Sequence, residues 1–218
     1  MVKRVAVAVH GRASRNRGSF QFSAPVYRTT LLYTKKEQVY TNNEQALNCA
    51  MTISLNRLLL HMAWANQKTF TYLQSLPEAS LKAFATNPEW PGAEIAHHIV
   101  DSADHYVFQI SDTPALTRPE DPCIDDIEQI SDLARIKDQA AIVDKALLEC
   151  VKLDDLKLEL KNGEGKIVTR WRSTILSQAI HHATEHRAQI ASALEAKGFA
   201  PVDLDELDLW SYEIASEN

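Results

Sequence analysis

The sequence predicts an all-α protein, a four-helix bundle with a short hairpin before its fourth helix. Four stretches carry apolar residues at three- and four-residue spacing, which is the period of a helix with one buried face. The connections between these stretches have lengths typical of bundles. The chain has 218 residues, 45% of them hydrophobic, and is therefore long enough to bury a core. No apolar run approaches the ~18 residues of a membrane helix, so we expect no membrane span.

The first helix is predicted to begin near Thr52, with Thr52 or Ser54 as its cap, and to end before Pro77. His61 lies on the polar edge of this helix. Because bundles build their sites from side chains on facing helices, His61 is a candidate for lining a pocket. The apolar stripe consists of Leu55, Leu58, Leu59, Met62, Phe70, Leu73 and Leu76.

The second helix is predicted from about Gly92 to Ser111, and it carries the adjacent histidines His97 and His98. Neighbouring residues point about 100° apart on a helix, so only one of the two can face a given site. We favour His98, because it shares a polar strip with Ser102 and His105 beside the apolar stripe. That stripe consists of Ile95, Ile99, Ala103, Tyr106 and Ile110.

The third helix is predicted from Ile124 to Val151 by its three- and four-residue apolar spacing. Two short alternating runs follow, Leu156 to Leu160 and Lys166 to Trp171. The turn-forming residues Asn162-Gly163-Glu164-Gly165 lie between them. This pattern favours a hairpin, and an irregular loop is the alternative.

The fourth helix is predicted to begin at Ser173 or Thr174 and to end near Lys197, with Gly198 as its C-cap. The tail from Pro201 to Asn218 is acidic. We expect it to fold back over an end of the bundle.

The first fifty residues differ in charge from the rest of the chain. They contain 8 Lys and Arg against 2 Asp and Glu, whereas residues 51–218 contain 15 against 27. We interpret residues 1–50 as a basic, disordered extension, or as the product of an over-long gene prediction with Met51 as the natural start. Residues 51–218 then form one domain. A domain this acidic is a poor binder of nucleic acid.

The three cysteines, Cys49, Cys123 and Cys150, are odd in number and have no CxxC spacing. They therefore form neither a disulfide framework nor a metal knuckle, which is typical of the reducing cytoplasm. We interpret them as small buried or half-buried side chains.

His182 and His186 have the spacing of a metal-binding pair. Side chains four residues apart lie on one face of a helix with their Cβ atoms roughly 5–6 Å apart, and zinc suits two imidazoles at that distance. A polar helix face without a metal is the alternative interpretation. In a bundle, the second and fourth helices could bring His98 together with His182 and His186.

Three segments of the chain resemble the DinB-like (YfiT-like) family of metal-dependent proteins. They are Met62-Ala63-Trp64-Ala65-Asn66 in the first helix, His98-Ile99-Val100 with Tyr106 in the second, and His182-Ala183-Thr184-Glu185-His186-Arg187-Ala188-Gln189-Ile190 in the fourth. The tail from Val202 to Tyr212 is similar to the end of that family as well. The resemblance covers about residues 51 to 212.

The resemblance implies a four-helix bundle, often a homodimer, that holds a divalent metal, typically zinc or nickel. The implied ligands are His98, His182 and His186, with positions left open for water or substrate. The family includes thiol-dependent S-transferases and isomerases that use low-molecular-weight thiols. Many relatives carry a glutamate five residues after the histidine of the second helix, but this chain has Ala103 there, followed by Asp104.

Two other functions remain compatible with the sequence. His182 to His186 also spell the HxxEH motif of inverted zinc peptidases, in which Glu185 would be the general base, although only 32 residues follow to supply a further ligand. A non-catalytic stress-response or small-ligand-binding bundle is the other alternative to a thiol transferase or a related hydrolase or isomerase.

Arg187 follows His186 directly and points about 100° away from it on a helix. We therefore expect it to pair with an acidic group at the edge of the bundle. The alternative is a role in holding an anionic thiol cofactor.

Overall fold

Four long helices make up most of the described chain, which comprises residues 53–111 and 126–217 of a computed structural model. They are α1 (Leu55–Gln74), α2 (Gly92–Ile110), α3 (Asp132–Cys150) and α4 (Arg172–Ala196). Helices α1 and α2 lie diagonally opposite each other, and each packs mainly against α3 and α4. The prediction of an all-α four-helix bundle is confirmed.

The apolar stripes of the four helices meet in one core. Full burial of a side chain the size of leucine or phenylalanine contributes roughly 1.5–3 kcal/mol, so these stripes supply most of the driving force for packing. The largest side chains that are almost fully buried are Leu59, Met62, Phe70, Ile95, Ile99, Ile110, Leu133, Ile136, Leu147, Ile190 and Leu194.

The starts of α1 and α3 show how local hydrogen bonds set helix boundaries. Ser54 caps α1, since its hydroxyl accepts the backbone N–H of Arg57 at 3.2 Å. The predicted start of α3 at Ile124 was wrong, because the helix begins at Asp132. The carboxylate of Asp132 accepts the backbone N–H groups of Glu128 and Gln129, both at 3.0 Å, and this turn replaces the expected first helical turns.

Strands β1 (Lys157–Lys161) and β2 (Ile167–Trp171) form the predicted hairpin. The side chain of Asn162 accepts the backbone N–H groups of Glu164 at 3.1 Å and Lys166 at 2.9 Å. Gly165 adopts a φ of 77°, which favours glycine over other residues. These contacts close the turn and fix the register of the two strands.

Arg172 connects the hairpin to the ends of two helices. Its side chain is buried, and its guanidinium donates hydrogen bonds to the carbonyl oxygens of Ile110, at 2.9 Å, and Asp154. Ile110 is the last residue of α2, where carbonyl groups lack partners within the helix. Arg172 therefore ties the end of α2 to the start of α4, and it fixes where the hairpin lies on the bundle.

The fourth helix ends as predicted, with Gly198 at a φ of 79° and the N–H of Phe199 bonded to the carbonyl of Leu194 at 3.0 Å. A short 3-10 helix (Asp205–Leu207) and α5 (Leu209–Ser216) follow. Helix α5 packs against α1, so the tail folds back on the bundle.

His61 binds this tail and does not join the other histidines. Its Nε2 lies 2.7 Å from the carbonyl oxygen of Leu207, and its ring contacts the rings of Trp64 and Tyr212. Its interpretation as a residue that lines the functional pocket is therefore replaced by a structural role.

Several sequence-based interpretations concern residues beyond the described ranges. Residues 1–50, Cys49 and Cys123 lie outside the described ranges. Cys150 lies within them and is buried, as expected. Among the helices in the described ranges, none has the length and apolarity needed to span a membrane.

Candidate metal centre

His98 on α2 and His182 and His186 on α4 converge at one point between the two helices. The Nε2 atom of His182 lies 3.0 Å from Nε2 of His98 and 3.0 Å from Nε2 of His186. One ring nitrogen from each histidine lies within 4.8 Å of the others, so the group could hold a metal ion. A zinc ion with bonds of about 2.0–2.1 Å to each nitrogen fits nitrogens at this separation.

Burial keeps two of these imidazoles in the neutral form that binds a metal. Burial, together with the charges of the neighbouring His186 and His98, lowers the pKa of His182 to about 4. Burial, followed by the charge of His186, also lowers the pKa of His98. A neutral ring nitrogen has a free lone pair, so His182 and His98 are ready to bind a cation at neutral pH.

Gln189 orients the ring of His186. Its Oε1 lies 2.8 Å from Nδ1 of His186 and accepts the indole N–H of Trp90 at 2.9 Å. An acceptor at Nδ1 favours the tautomer whose proton is on Nδ1, and this leaves the lone pair of Nε2 directed at the other histidines. Many relatives carry a glutamate where this chain has Ala103, and here it is Gln189 that orients one of the candidate ligands.

Trp90 closes one side of the histidine cluster. Its ring lies edge-on to His98 and to His186, with centroid distances of 5.2 and 5.9 Å. Beyond it lies a cleft of about 410 Å³, which Trp90, Gln189 and Glu185 line in part. Glu185, the candidate base of a peptidase, is exposed in this cleft and does not belong to the group of three histidines.

The three histidines differ in exposure, since His98 and His182 are only half-buried while His186 is buried. Tyr106 lies edge-on to His182, with the ring centroids 5.8 Å apart. Burial raises the pKa of Tyr106, so its phenol stays protonated at neutral pH and can act as a hydrogen-bond donor. Of the polar strip on α2, Ser102 contacts the ring of His98 at 3.3 Å, and His105 contacts Gln109 instead.

A buried polar network lies behind the histidines. Arg187 donates hydrogen bonds to the side-chain oxygens of Asn66 at 2.7 Å and Thr184 at 2.9 Å. Asn66 in turn donates to the carboxylate of Asp144, at 3.3 and 3.4 Å. Burial raises the pKa of Asp144 to about 7 and lowers that of Arg187 to about 10.

The location predicted for Arg187 was wrong, although its direction away from the histidines was right. Its side chain is only 3% exposed and lies among α1, α3 and α4, not at the bundle edge. Asp144 is its acidic neighbour, and Asn66 bridges the two. A guanidinium that is buried and hydrogen-bonded in this way is unavailable to an anionic cofactor.

Sequence reasoning missed Trp90, Gln189 and Asp144. A signal existed for two of them: Gln189 follows His186 by three residues on one helix face, and Asp144 interrupts the apolar spacing of Ala140, Val143 and Leu147. Trp90 precedes α2 in a proline-containing loop, and no periodic pattern covers it.

The comparison with protein families gives one match, in which the model of the DinB family covers residues 51–216. The matched segment contains all four long helices, the three histidines and Gln189. A search of the curated proteins finds no match to this chain.

Proposed function

Since this chain belongs to the DinB family, we propose that it binds a divalent metal, zinc or nickel, and transfers a low-molecular-weight thiol to an electrophilic carbon. His98, His182 and His186 would hold the metal. The observation that carries the proposal is the convergence of their Nε2 atoms, with the two contacts at 3.0 Å. Three imidazoles, with no carboxylate in the group among the described residues, form a ligand set that leaves positions open, which suits catalysis better than structure.

A metal with an open position binds a thiol as its thiolate and so supplies a nucleophile at neutral pH. The transfer forms a sulfur–carbon bond, breaks the bond between that carbon and its leaving group, and releases the thiol proton to solvent. The protein contributes the orientation of the His186 ring through Gln189, and Trp90 covers His98 and His186 with its ring. Tyr106 lies beside the half-buried His182 as a neutral phenol, so it adds no negative charge that would repel a thiolate.

The first test is elemental analysis of the full chain purified without a histidine tag. The proposal predicts close to one equivalent of a transition metal, and turnover of an electrophilic substrate only when a thiol is present. A folded protein that binds no metal would contradict it. A metal-loaded protein that binds thiols but turns over none would support the non-catalytic ligand-binding alternative, and hydrolysis of casein would support the peptidase.

The choice between the adjacent histidines of α2 can be checked directly. His98→Ala is expected to lose most of the bound metal, because it removes one of three ligands, whereas His97→Ala is expected to keep it. Metal content and zinc affinity, measured by competition with a chromophoric chelator, distinguish the two variants. The opposite result would mean that His97 is the ligand.

Gln189→Leu is expected to weaken zinc binding by about 10–100-fold, the usual effect of losing a partner that orients a metal-binding histidine. The side chain of leucine leaves both Nδ1 of His186 and the indole N–H of Trp90 without their acceptor. Gln189→Glu keeps an acceptor and should retain more of the affinity. Equal affinities of Gln189→Leu and the unaltered protein would show that Gln189 does not support the site.

We further propose that the protein acts in the cytoplasm and as a homodimer. The three cysteines, with no disulfide framework in their spacing, support the first proposal. The second rests on the resemblance alone, and light scattering of the purified chain tests it.

A further inference from the structure

A second cleft reaches Tyr106, the ring neighbour of His182. Its volume is about 320 Å³, and it lies between the end of α2, the start of α4 and the hairpin. Tyr106, which contacts His182, lines the cleft, and so do Gln178 and Thr174, which precede His182 by one and two helical turns. Thr174 lies eight residues before His182, so this part of the lining is roughly 12 Å from His182 along the axis of α4.

The lining changes in character along this length. Near the histidines it is neutral and polar, and Leu160, Val168 and Ile175 supply apolar surface further along. At the hairpin the lining includes Lys161 and Arg170. Among the described residues, no aspartate or glutamate lines the cleft, although the whole chain has a net charge of −6.

Strand register explains why Arg170 faces the cleft. Arg170 lies directly opposite Leu158, and Val168 lies opposite Leu160, so these four side chains share one face of the hairpin. Leu158 and Leu160 are buried, which identifies this face as the one that packs on the bundle. Arg170 is the charged residue on a face that is otherwise apolar.

No carboxylate of the described residues pairs with Arg170. Its guanidinium is exposed and makes one hydrogen bond, to the carbonyl oxygen of Thr169 at 2.9 Å. A guanidinium has five N–H donors, and two in parallel match a carboxylate. An anion at the end of the cleft would thus find unused donors and a positive charge.

We propose that this cleft selects a ligand with a carboxylate at one end, an apolar middle about two helical turns long, and its reactive end at the histidines. This inference rests on the proposed function for the reactive end, since the histidines must hold the metal that engages it. Arg170 recognises the carboxylate, and Leu160, Val168 and Ile175 contact the apolar middle.

The test compares two probes that differ only at one end, 8-mercaptooctanoate and 8-mercapto-1-octanol. Their thiol can occupy the metal while the far end reaches Arg170. Calorimetric titration of the metal-loaded full chain is expected to show up to about fivefold tighter binding of the carboxylate probe, as for an ion pair with an exposed cation. Arg170→Gln should abolish the difference between the probes, and Arg170→Lys should retain part of it.

Lys157→Gln is the matched control, since Lys157 is a cation of the same hairpin on the opposite, outer face. It should leave the preference for the carboxylate unchanged. The inference is overturned if the two probes bind equally to the unaltered protein, or if the preference survives in Arg170→Gln.

Mercaptoethanol is a thiol too short to reach along the cleft, so its binding tests the proposed function separately from the inference about the cleft. If the protein binds mercaptoethanol but neither of the long probes, the inference about the cleft is wrong and the proposed function still stands. A protein that binds no thiol of any length contradicts the proposed function. Titration of that protein with octanoate and 1-octanol then tests whether the cleft recognises a carboxylate through Arg170. A preference for octanoate that Arg170→Gln removes supports this inference, and equal binding of the two compounds overturns it.

Discussion

His186→Ala is expected to lower the affinity for zinc by well over the ~10–100-fold that follows from losing an outer partner of a ligand. The reason is that His186 is one of only three imidazoles whose Nε2 atoms converge, and two imidazoles do not complete the set. Thiol-dependent turnover should disappear with the metal. Zinc competition titrations and a thiol-transfer assay measure the two effects.

The helical fold of His186→Ala should persist, because the substitution leaves the apolar stripes of the four helices intact. Circular dichroism checks this point. His181→Ala is the matched control, since His181 is exposed on the same helix and lies outside the cluster. Turnover that survives the loss of metal would show that the mechanism does not use a metal-bound thiolate and that the histidines belong to a polar pocket.

Arg187→Met is expected to destabilise the fold by roughly 2–4 kcal/mol, because buried polar groups lose their donor. Methionine fills much of the space of arginine but leaves the Oδ1 atom of Asn66 without its hydrogen bond at 2.7 Å. It also removes the positive charge beside Asp144, which burial already disfavours as an anion. The midpoint of urea unfolding measures the change in the free energy of unfolding.

Arg57→Met is the control for this experiment. Arg57 pairs with Glu213 at 2.7 Å, but both side chains are about half exposed, and such surface pairs contribute about 0–1 kcal/mol. Replacing Asp144 by leucine in the Arg187→Met background should restore part of the lost stability, since no buried charge then remains at this position. A loss below about 1 kcal/mol in Arg187→Met would mean that the network contributes little to stability.

The helices of this protein could be predicted because their apolar residues recur with the helical period. That period is a property of the chain itself, so it identified all four helices and the single face of α2 that carries His98. The start of α3 could not be predicted in this way. It depends on the carboxylate of Asp132 accepting two backbone N–H groups, and periodicity carries no information about such a turn.

The same distinction applies to the site. His182 and His186 were recognisable as a pair because four-residue spacing places them on one face of a helix. Trp90 and Gln189 meet across 99 residues of sequence, so their contact depends on how α2 and the loop before it pack against α4. The position of His61 on its helix suggested a residue that lines a pocket, but its ring instead binds the backbone carbonyl of Leu207 in the C-terminal segment.

The separation of His98 from His182 by 84 residues links metal binding to folding. In an unfolded chain only His182 and His186 remain near each other, so the three-imidazole set exists only after α2 has docked on α4. A ligand that binds the native state alone adds about 2.7 kcal/mol to the free energy of unfolding at a concentration 100 times its dissociation constant. Under the proposed function, the supply of metal would thereby set the fraction of the chain that is folded as well as its activity.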